Sequence, residues 1–207
     1  MVMTKTPSVE FVRSAASAGD FPKHDRPEVA AVGRSNVGKS RLLNQLTGVK
    51  RMAFVSKTPG RTQLINFFRF RVGEDMMLVD LPGYGFAKAP RSTREKWEAL
   101  VTSYLFEREA LCLVLLLIDV RRDPQESDLQ VKALLDEGRI PYTVIATKAD
   151  KLSKSQLKRQ RTILEKIYAT EEGVPFITFS AVTNEGRKEL WTVIERHVRE
   201  ARRALKS

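Results

Sequence analysis

Gly33-Arg-Ser-Asn-Val-Gly-Lys39-Ser40 is the stretch that most restricts what this chain can fold into. Its G-x-x-x-x-G-K-S spacing is that of a phosphate-binding loop, which needs a strand before it and a helix after it. Both flanks comply. Glu28 to Val32 is a short β-prone run, and Arg41 to Leu46 has helical character. The glycines let the backbone curl until successive N–H groups point inward at phosphate oxygens. The positive end of the following helix adds to that field. Lys39 is then placed to reach β- and γ-phosphates, and the Ser40 hydroxyl to ligate Mg²⁺. Glycine makes up about 7% of ordinary sequences, so an accidental match over this spacing is rare.

The rest of the chain alternates strand-like and helix-like segments around that loop. Leu64 to Val72 reads as a strand, with Arg69 and Arg71 alternating against Phe68, Phe70 and Val72. A tight turn at Gly73 leads into Met76 to Asp80, so these two strands must be antiparallel. Leu111 to Ile118 is the most apolar run, as expected of a central strand covered on both faces. Helical patterns fall over about 91–108, 126–137, 154–170 (capped by Ser153) and 185–204, and further strands over 141–146 and 174–179. The last helix carries Leu190, Trp191, Ile194, Val198 and Ala201 on one stripe. Such alternation predicts an α/β fold of three layers: a mostly parallel sheet of about six strands, one of them antiparallel, with helices on both faces. Residues 28–207 suit a single domain. Residues 1–27 read as a polar arm packed on it, with one apolar patch from Val9 to Val12.

Composition removes several alternatives. Cys112 is the only cysteine, so an intramolecular disulfide and a thiolate metal cluster are both excluded. His24 and His197 are the only histidines, which argues against histidine-based catalysis. No apolar run is long enough to span a bilayer, and the first residues lack the apolar core of a signal peptide, so the expectation is a cytoplasmic protein. A monomer is expected too, independently of those features. The formal net charge is +11, and no acidic residue occurs between Val29 and Gly73. Arg34, Lys39, Arg41, Lys50, Arg51, Lys57, Arg61, Arg69 and Arg71 all lie in that stretch. Excess positive charge of this kind fits a polyanionic partner such as RNA. A second basic cluster, Lys154, Lys158 and Arg161 with Arg159 adjacent, falls along one face of its helix, opposite Leu157, Leu164 and Ile167.

Four further motifs sit at successive strand ends, where an open α/β sheet binds ligands. Asp80-Leu81-Pro82-Gly83 is a D-x-x-G pattern: the carboxylate would hold Mg²⁺ through water, and the Gly83 N–H would meet the γ-phosphate. Thr147-Lys148-Ala149-Asp150 resembles the N-K-x-D base-recognition motif, with Thr in place of Asn. A carboxylate at Asp150 accepts two hydrogen bonds from guanine N1–H and N2–H₂, and adenine has no such donors. Lys148 would lay its alkyl stem along the base. Phe179-Ser180-Ala181 matches the S-A motif whose backbone N–H contacts guanine O6. Gly60-Arg61-Thr62-Gln63-Leu64 reads as the first switch, with Thr62 closing over Mg²⁺ and the γ-phosphate and Thr58 as a competing ligand. The position after D-x-x-G, where a Gln often orients the attacking water, is Tyr84, so intrinsic hydrolysis is expected to be slow. Arg91 and Arg94, just beyond, are weaker candidates for charge stabilisation.

Taken together, the phosphate loop, Ser56-Lys-Thr-Pro-Gly-Arg-Thr-Gln-Leu-Ile-Asn-Phe67, Asp80-Leu-Pro-Gly-Tyr-Gly-Phe86 and Thr147-Lys-Ala-Asp150 resemble the EngB (YihA/YsxC) family over about residues 9–200. That family belongs to the TrmE–Era–EngA group of bacterial GTPases. The resemblance implies a P-loop NTPase fold with a Ras-like G domain, GTP and GDP as ligands, and Mg²⁺ as cofactor. It also implies a role in assembly of the large ribosomal subunit through its particles or rRNA rather than DNA, and a link to cell division and septation. Asn36 matches the loop Asn that binds K⁺ in related GTPases. With Lys39, Thr62 and Gly83 it completes the expected catalytic set. Two rivals stand beside this reading. A small-molecule kinase would lack the motifs after the loop, and a GTP-binding division scaffold would not need hydrolysis.

Overall fold

The computed structural model describes residues 8–49, 64–72, 74–85, 91–169 and 173–204. The elements run β1 (Ser8–Ala15), β2 (Glu28–Gly33), α1 (Lys39–Thr47), β3 (Ile65–Val72), β4 (Glu74–Asp80), α2 (Arg91–Glu107), β5 (Leu111–Asp119), α3 (Glu126–Glu137), β6 (Tyr142–Thr147), α4 (Lys154–Tyr168), β7 (Phe176–Phe179) and α5 (Arg187–Ala204). The seven strands form one sheet in the order β1-β3-β4-β2-β5-β6-β7. β3 is antiparallel to both of its neighbours, and every other pairing is parallel. The phosphate-loop strand β2 therefore lies near the middle, between β4 and β5.

Side chains alternate between two cores, as a pleated sheet covered on both faces requires. On one face Ala30, Val32, Val79, Val114, Leu116 and Val144 meet Val101 and Tyr104 of α2, Leu135 of α3 and Leu164 and Tyr168 of α4. On the other, Val29, Ala31, Leu78, Leu115 and Ile145 meet Leu42, Leu43 and Leu46 of α1 and Leu190, Ile194 and Val198 of α5. Trp191 stacks on Phe70 with centroids 5.4 Å apart, extending that second core to β3.

The sheet has seven strands rather than about six, because part of the N-terminal arm is a strand. β1 pairs with β3 from Ser8↔Arg71 to Ala15↔Ile65, with an irregularity between Phe11 and Arg13. Its residues are mostly exposed, so its sequence lacks the continuous apolar signal of the buried strands. Phe11 holds it down by an edge contact with Phe68. The last helix begins at Arg187 rather than near 185: Asn184 and Gly186 both have positive φ, a left-handed turn that must end before a right-handed helix can start. α4 has the expected cap, since Ser153 accepts from the Gln156 N–H and the Gln156 side chain reaches back to the Ser153 N–H.

Candidate nucleotide site

Gly33 ends β2, and the loop then turns into α1 through Gly38, whose φ of 117° suits only glycine. A Cβ on Gly33 would meet the Leu117 carbonyl oxygen of β5 at 2.9 Å, so the loop can leave the sheet this closely only without a side chain. β2 and β4 run parallel with Ala31 opposite Asp80, which carries the D-x-x-G segment along the loop. The Ser35 N–H donates to the Tyr84 carbonyl at 3.0 Å, fixing the two segments side by side. Lys39 consequently meets Asp80 in an ion pair, Nζ to Oδ1, with both side chains largely buried. Each group satisfies the other's charge at the spot where phosphate and metal chemistry is expected. The Ser40 hydroxyl, on the first turn of α1, is exposed. Hydroxyl and carboxylate oxygens are hard donors that suit Mg²⁺.

The motifs expected to read the base converge from the ends of β6 and β7. Thr147 is buried, and its hydroxyl lies 2.7 Å from the Val37 carbonyl of the loop and 2.9 Å from the Ile118 carbonyl of β5. Lys148, with φ of 65°, sends its ammonium to the Asn36 carbonyl and to Asp119, each at 2.8 Å. Its ammonium is thereby anchored beside the loop. Asp119 also takes both ends of the Arg121 fork. Burial pushes its carboxyl up, but the hydrogen bonds from Arg121 and Lys148 outweigh this and hold it far below the usual range. Asp150 accepts from the fully buried Ser180 hydroxyl at 2.8 Å, which lowers its pKa and keeps it ionised. The Val182 and Thr183 N–H groups fix that hydroxyl in turn, and Gln45 of α1 donates to the Ala181 carbonyl at 2.7 Å.

The expected site residues divide by what they offer. Lys39, Asp80, Thr147, Lys148, Asp150 and Ser180 bring polar side chains to one end of the sheet. Val37, Leu81, Ala149 and Phe179 are core side chains, so only their backbone can face a ligand. The Asn36 side chain is exposed beside the loop. Gly83 rides over the loop, where an added Cβ would lie 3.3 Å from the Ser35 hydroxyl. Gly60, Arg61, Thr62 and Gln63, with the competing Thr58, fall outside the described residues, as do the side chains of Arg91 and Arg94. A cleft of about 250 Å³ opens next to the loop among Arg34, Asn36, Asp119, Gln125, Lys148 and Tyr168. Lys39, Ser40, Asp80 and Asp150 do not line it, but Ser35, Val37 and Lys148 do, so it opens onto the outer side of the loop and the Lys148 side chain.

Tyr84 is turned into the core. It is 6% exposed, packs edge-on against Trp97 and donates to Asp128 of α3 at 2.8 Å. Burial and the Asp128 charge push the phenol well above its usual range, so it stays a donor. A side chain held this way does not take the water-orienting place of a Gln. Asp128 and Asp119 had no signal as isolated carboxylates in the sequence; each acquires its role from a partner brought in by tertiary folding.

The strand order, the loop between β2 and α1, and motifs at the ends of β4, β6 and β7 define a P-loop GTPase. Residues 28–148 match the family described as "50S ribosome-binding GTPase". The chain is 47% identical over 185 residues to the "Probable GTP-binding protein EngB" of Solibacter usitatus, covering 89% of this chain and 93% of that one. It is 44% identical over 194 residues to the protein of the same name from Desulforamulus reducens, covering 94% of each. A crystal structure of a probable GTP-binding protein engB superposes with a TM-score of 0.66 at 25% identity, over 84% of this chain and 99% of the other. This chain belongs to the EngB family of GTP-binding proteins.

Proposed function

We propose that GTP binding at these strand ends switches the chain's affinity for large-ribosomal-subunit particles or their RNA, and that slow hydrolysis resets it. In this reading residues 28–207 are the G domain, 1–27 its packed arm, and the protein is a cytoplasmic monomer whose loss also disturbs septation. Residues 33–40 hold the phosphates, with Lys39 exchanging Asp80 for phosphate oxygens. Ser40 and Thr62 would ligate Mg²⁺ directly and Asp80 through water; the ion, when bound, neutralises charge developing on the phosphates. The Gly83 N–H meets the γ-phosphate, residues 60–64 form the first switch, and Lys148, Asp150 and residues 179–181 hold guanine. The Asn36 side chain would hold K⁺ next to the loop. Hydrolysis is then expected to run faster in K⁺ than in Na⁺; equal rates, unchanged in Asn36→Ala, remove that cation from the scheme.

The observation that carries the partner is the outer face of α4. Lys154, Lys158, Arg159 and Arg161 are all exposed, Arg161 with Glu165 3.4 Å away, on a helix that starts just after Asp150, while Leu164 and Tyr168 of the same helix are buried. The acid-free stretch contributes less than its composition suggests. Within it, Lys39 pairs with Asp80, Arg69 with Asp75, and Arg71 with Glu10. Arg69 and Arg26 together hold the Asp75 carboxyl down to about 2, so it stays ionised at any ordinary pH and offsets one of the two guanidinium charges. No described helix is long and apolar enough to cross a membrane.

Co-sedimentation with large-subunit particles tests the proposal. Binding should be stronger with a non-hydrolysable GTP analogue than with GDP, and should fall steeply between low and moderate salt as phosphate contacts release counterions. Reversing Lys154, Lys158 and Arg161 to Glu should weaken particle binding by at least about tenfold, taking three lost phosphate contacts in the salt-slope picture. GTP affinity should be unchanged. Binding indifferent to nucleotide and to salt would leave the basic helix as a solubility feature.

A further inference from the structure

An Asn at position 147 would bring two amide hydrogens, enough to tie down one carbonyl and also donate to a second acceptor. Thr147 brings one hydrogen. Its hydroxyl lies 2.7 Å from the Val37 carbonyl and 2.9 Å from the Ile118 carbonyl, and the residue is 3% exposed. Both distances are within O–H···O range and both partners are acceptors, so the single hydrogen is committed to one of these carbonyls or shared between them. Giving it to a third acceptor would leave both buried carbonyls without this donor, an unfavourable exchange. The Cβ, Cγ2 and Oγ1 atoms of Thr147 also lie 3.8–3.9 Å from the place a Cβ would take on Gly38, so the residue backs directly onto the loop.

Purine N7 is an acceptor on the base edge away from N1 and N2. Asp150 is acceptor-only when ionised, as its lowered pKa keeps it, and so reads the donor edge alone. We infer that Thr147 is a positioning residue for the phosphate loop and leaves guanine N7 unread, so that the protein accepts guanine nucleotides altered at N7. The inference rests on the assignment of Asp150 to guanine.

The test is a set of affinities for GDP, 7-deaza-GDP and ADP, measured on the intact protein with Mg²⁺. GDP and 7-deaza-GDP should bind within about twofold of each other, less than one net neutral hydrogen bond is worth. In Thr147→Val both affinities should fall by the same factor, because the loop loses its tie while base reading is untouched. In Thr147→Asn the ratio should open to about three- to tenfold in favour of GDP, as a second donor becomes available. A fivefold or greater preference of wild-type protein for GDP over 7-deaza-GDP overturns the inference, and so does an unchanged ratio in Thr147→Asn. Equal binding of GDP and ADP would instead sink the guanine assignment. Thermal melting of each variant without nucleotide separates a lost fold from a lost contact.

Discussion

Replacing Asp150 by Asn is expected to cut guanine-nucleotide affinity by roughly 10²–10⁴-fold and to make xanthine nucleotides the preferred ligands. In the proposed site the carboxylate would accept two bonds from guanine, each charge-assisted and worth about 1.5–3 kcal/mol. An amide supplies one acceptor and two donors, so one of the two contacts becomes donor against donor; xanthine, with an oxygen at C2, restores the match. The Ser180 hydroxyl and the two N–H groups behind it hold position 150 in place before any ligand arrives, which favours discrimination over adaptation. Wild-type protein should correspondingly reject ATP by about 10⁴-fold or more, because the Asp150 acceptors would face adenine with no donor. Competition binding with GTP, XTP and ATP on both proteins decides the matter. An Asp150→Asn variant that keeps its guanine preference would move base recognition elsewhere in the chain.

Replacing Glu28 by Gln is expected to lower folding stability by about 3–5 kcal/mol without touching the nucleotide site. Glu28 opens β2 at 0% exposure and is met by the Tyr104 hydroxyl at 2.7 Å, the Arg108 guanidinium at 2.7 Å and the His24 ring at 3.0 Å. His24 Nδ1 accepts from the Arg26 N–H, so the hydrogen facing Glu28 sits on Nε2. One carboxylate thus joins the N-terminal segment and α2 to the strand that carries the phosphate loop. Neutralising it strands the Arg108 charge, which is the costly way to break a buried pair. Thermal unfolding should shift downward by on the order of 10 °C for a chain of this size. A loss under about 1 kcal/mol would show that the Pro22 carbonyl, already 2.7 Å from Arg108, can carry the charge by itself. The pH dependence follows in sign. Burial raises the Glu28 pKa, but the bonds from His24 and Arg108 outweigh it and leave the group lowered. Its contribution is therefore complete above the unfolded-state value and is lost as acid titrates the folded carboxylate. The acid limb of the stability curve should be shallower in Glu28→Gln than in wild type.

Much of this molecule was legible because its signals are local. The loop from Gly33 to Ser40, the apolar run of β5, the Ser153 cap and the stripe of α5 each follow from residues a few positions apart, where backbone sterics and helical or strand period decide. The parallel sheet followed from the alternation of those segments, and the motif order brought the proposed nucleotide-binding residues to strand ends. Tertiary structure decided what depends on partners distant in sequence. It made the weakly patterned arm the seventh strand, because β3 offered an unpaired edge and Phe68 a surface for Phe11. It turned Tyr84 inward to Asp128, paired the loop lysine with Asp80, and matched Arg69 and Arg71 with acids that composition had counted separately. It also decided Thr147. The residue type limits it to one hydrogen, but only the approach of Val37 and Ile118 from two other segments determines where that hydrogen goes. A side chain's chemistry is a property of the sequence; the acceptor it meets is a property of the fold.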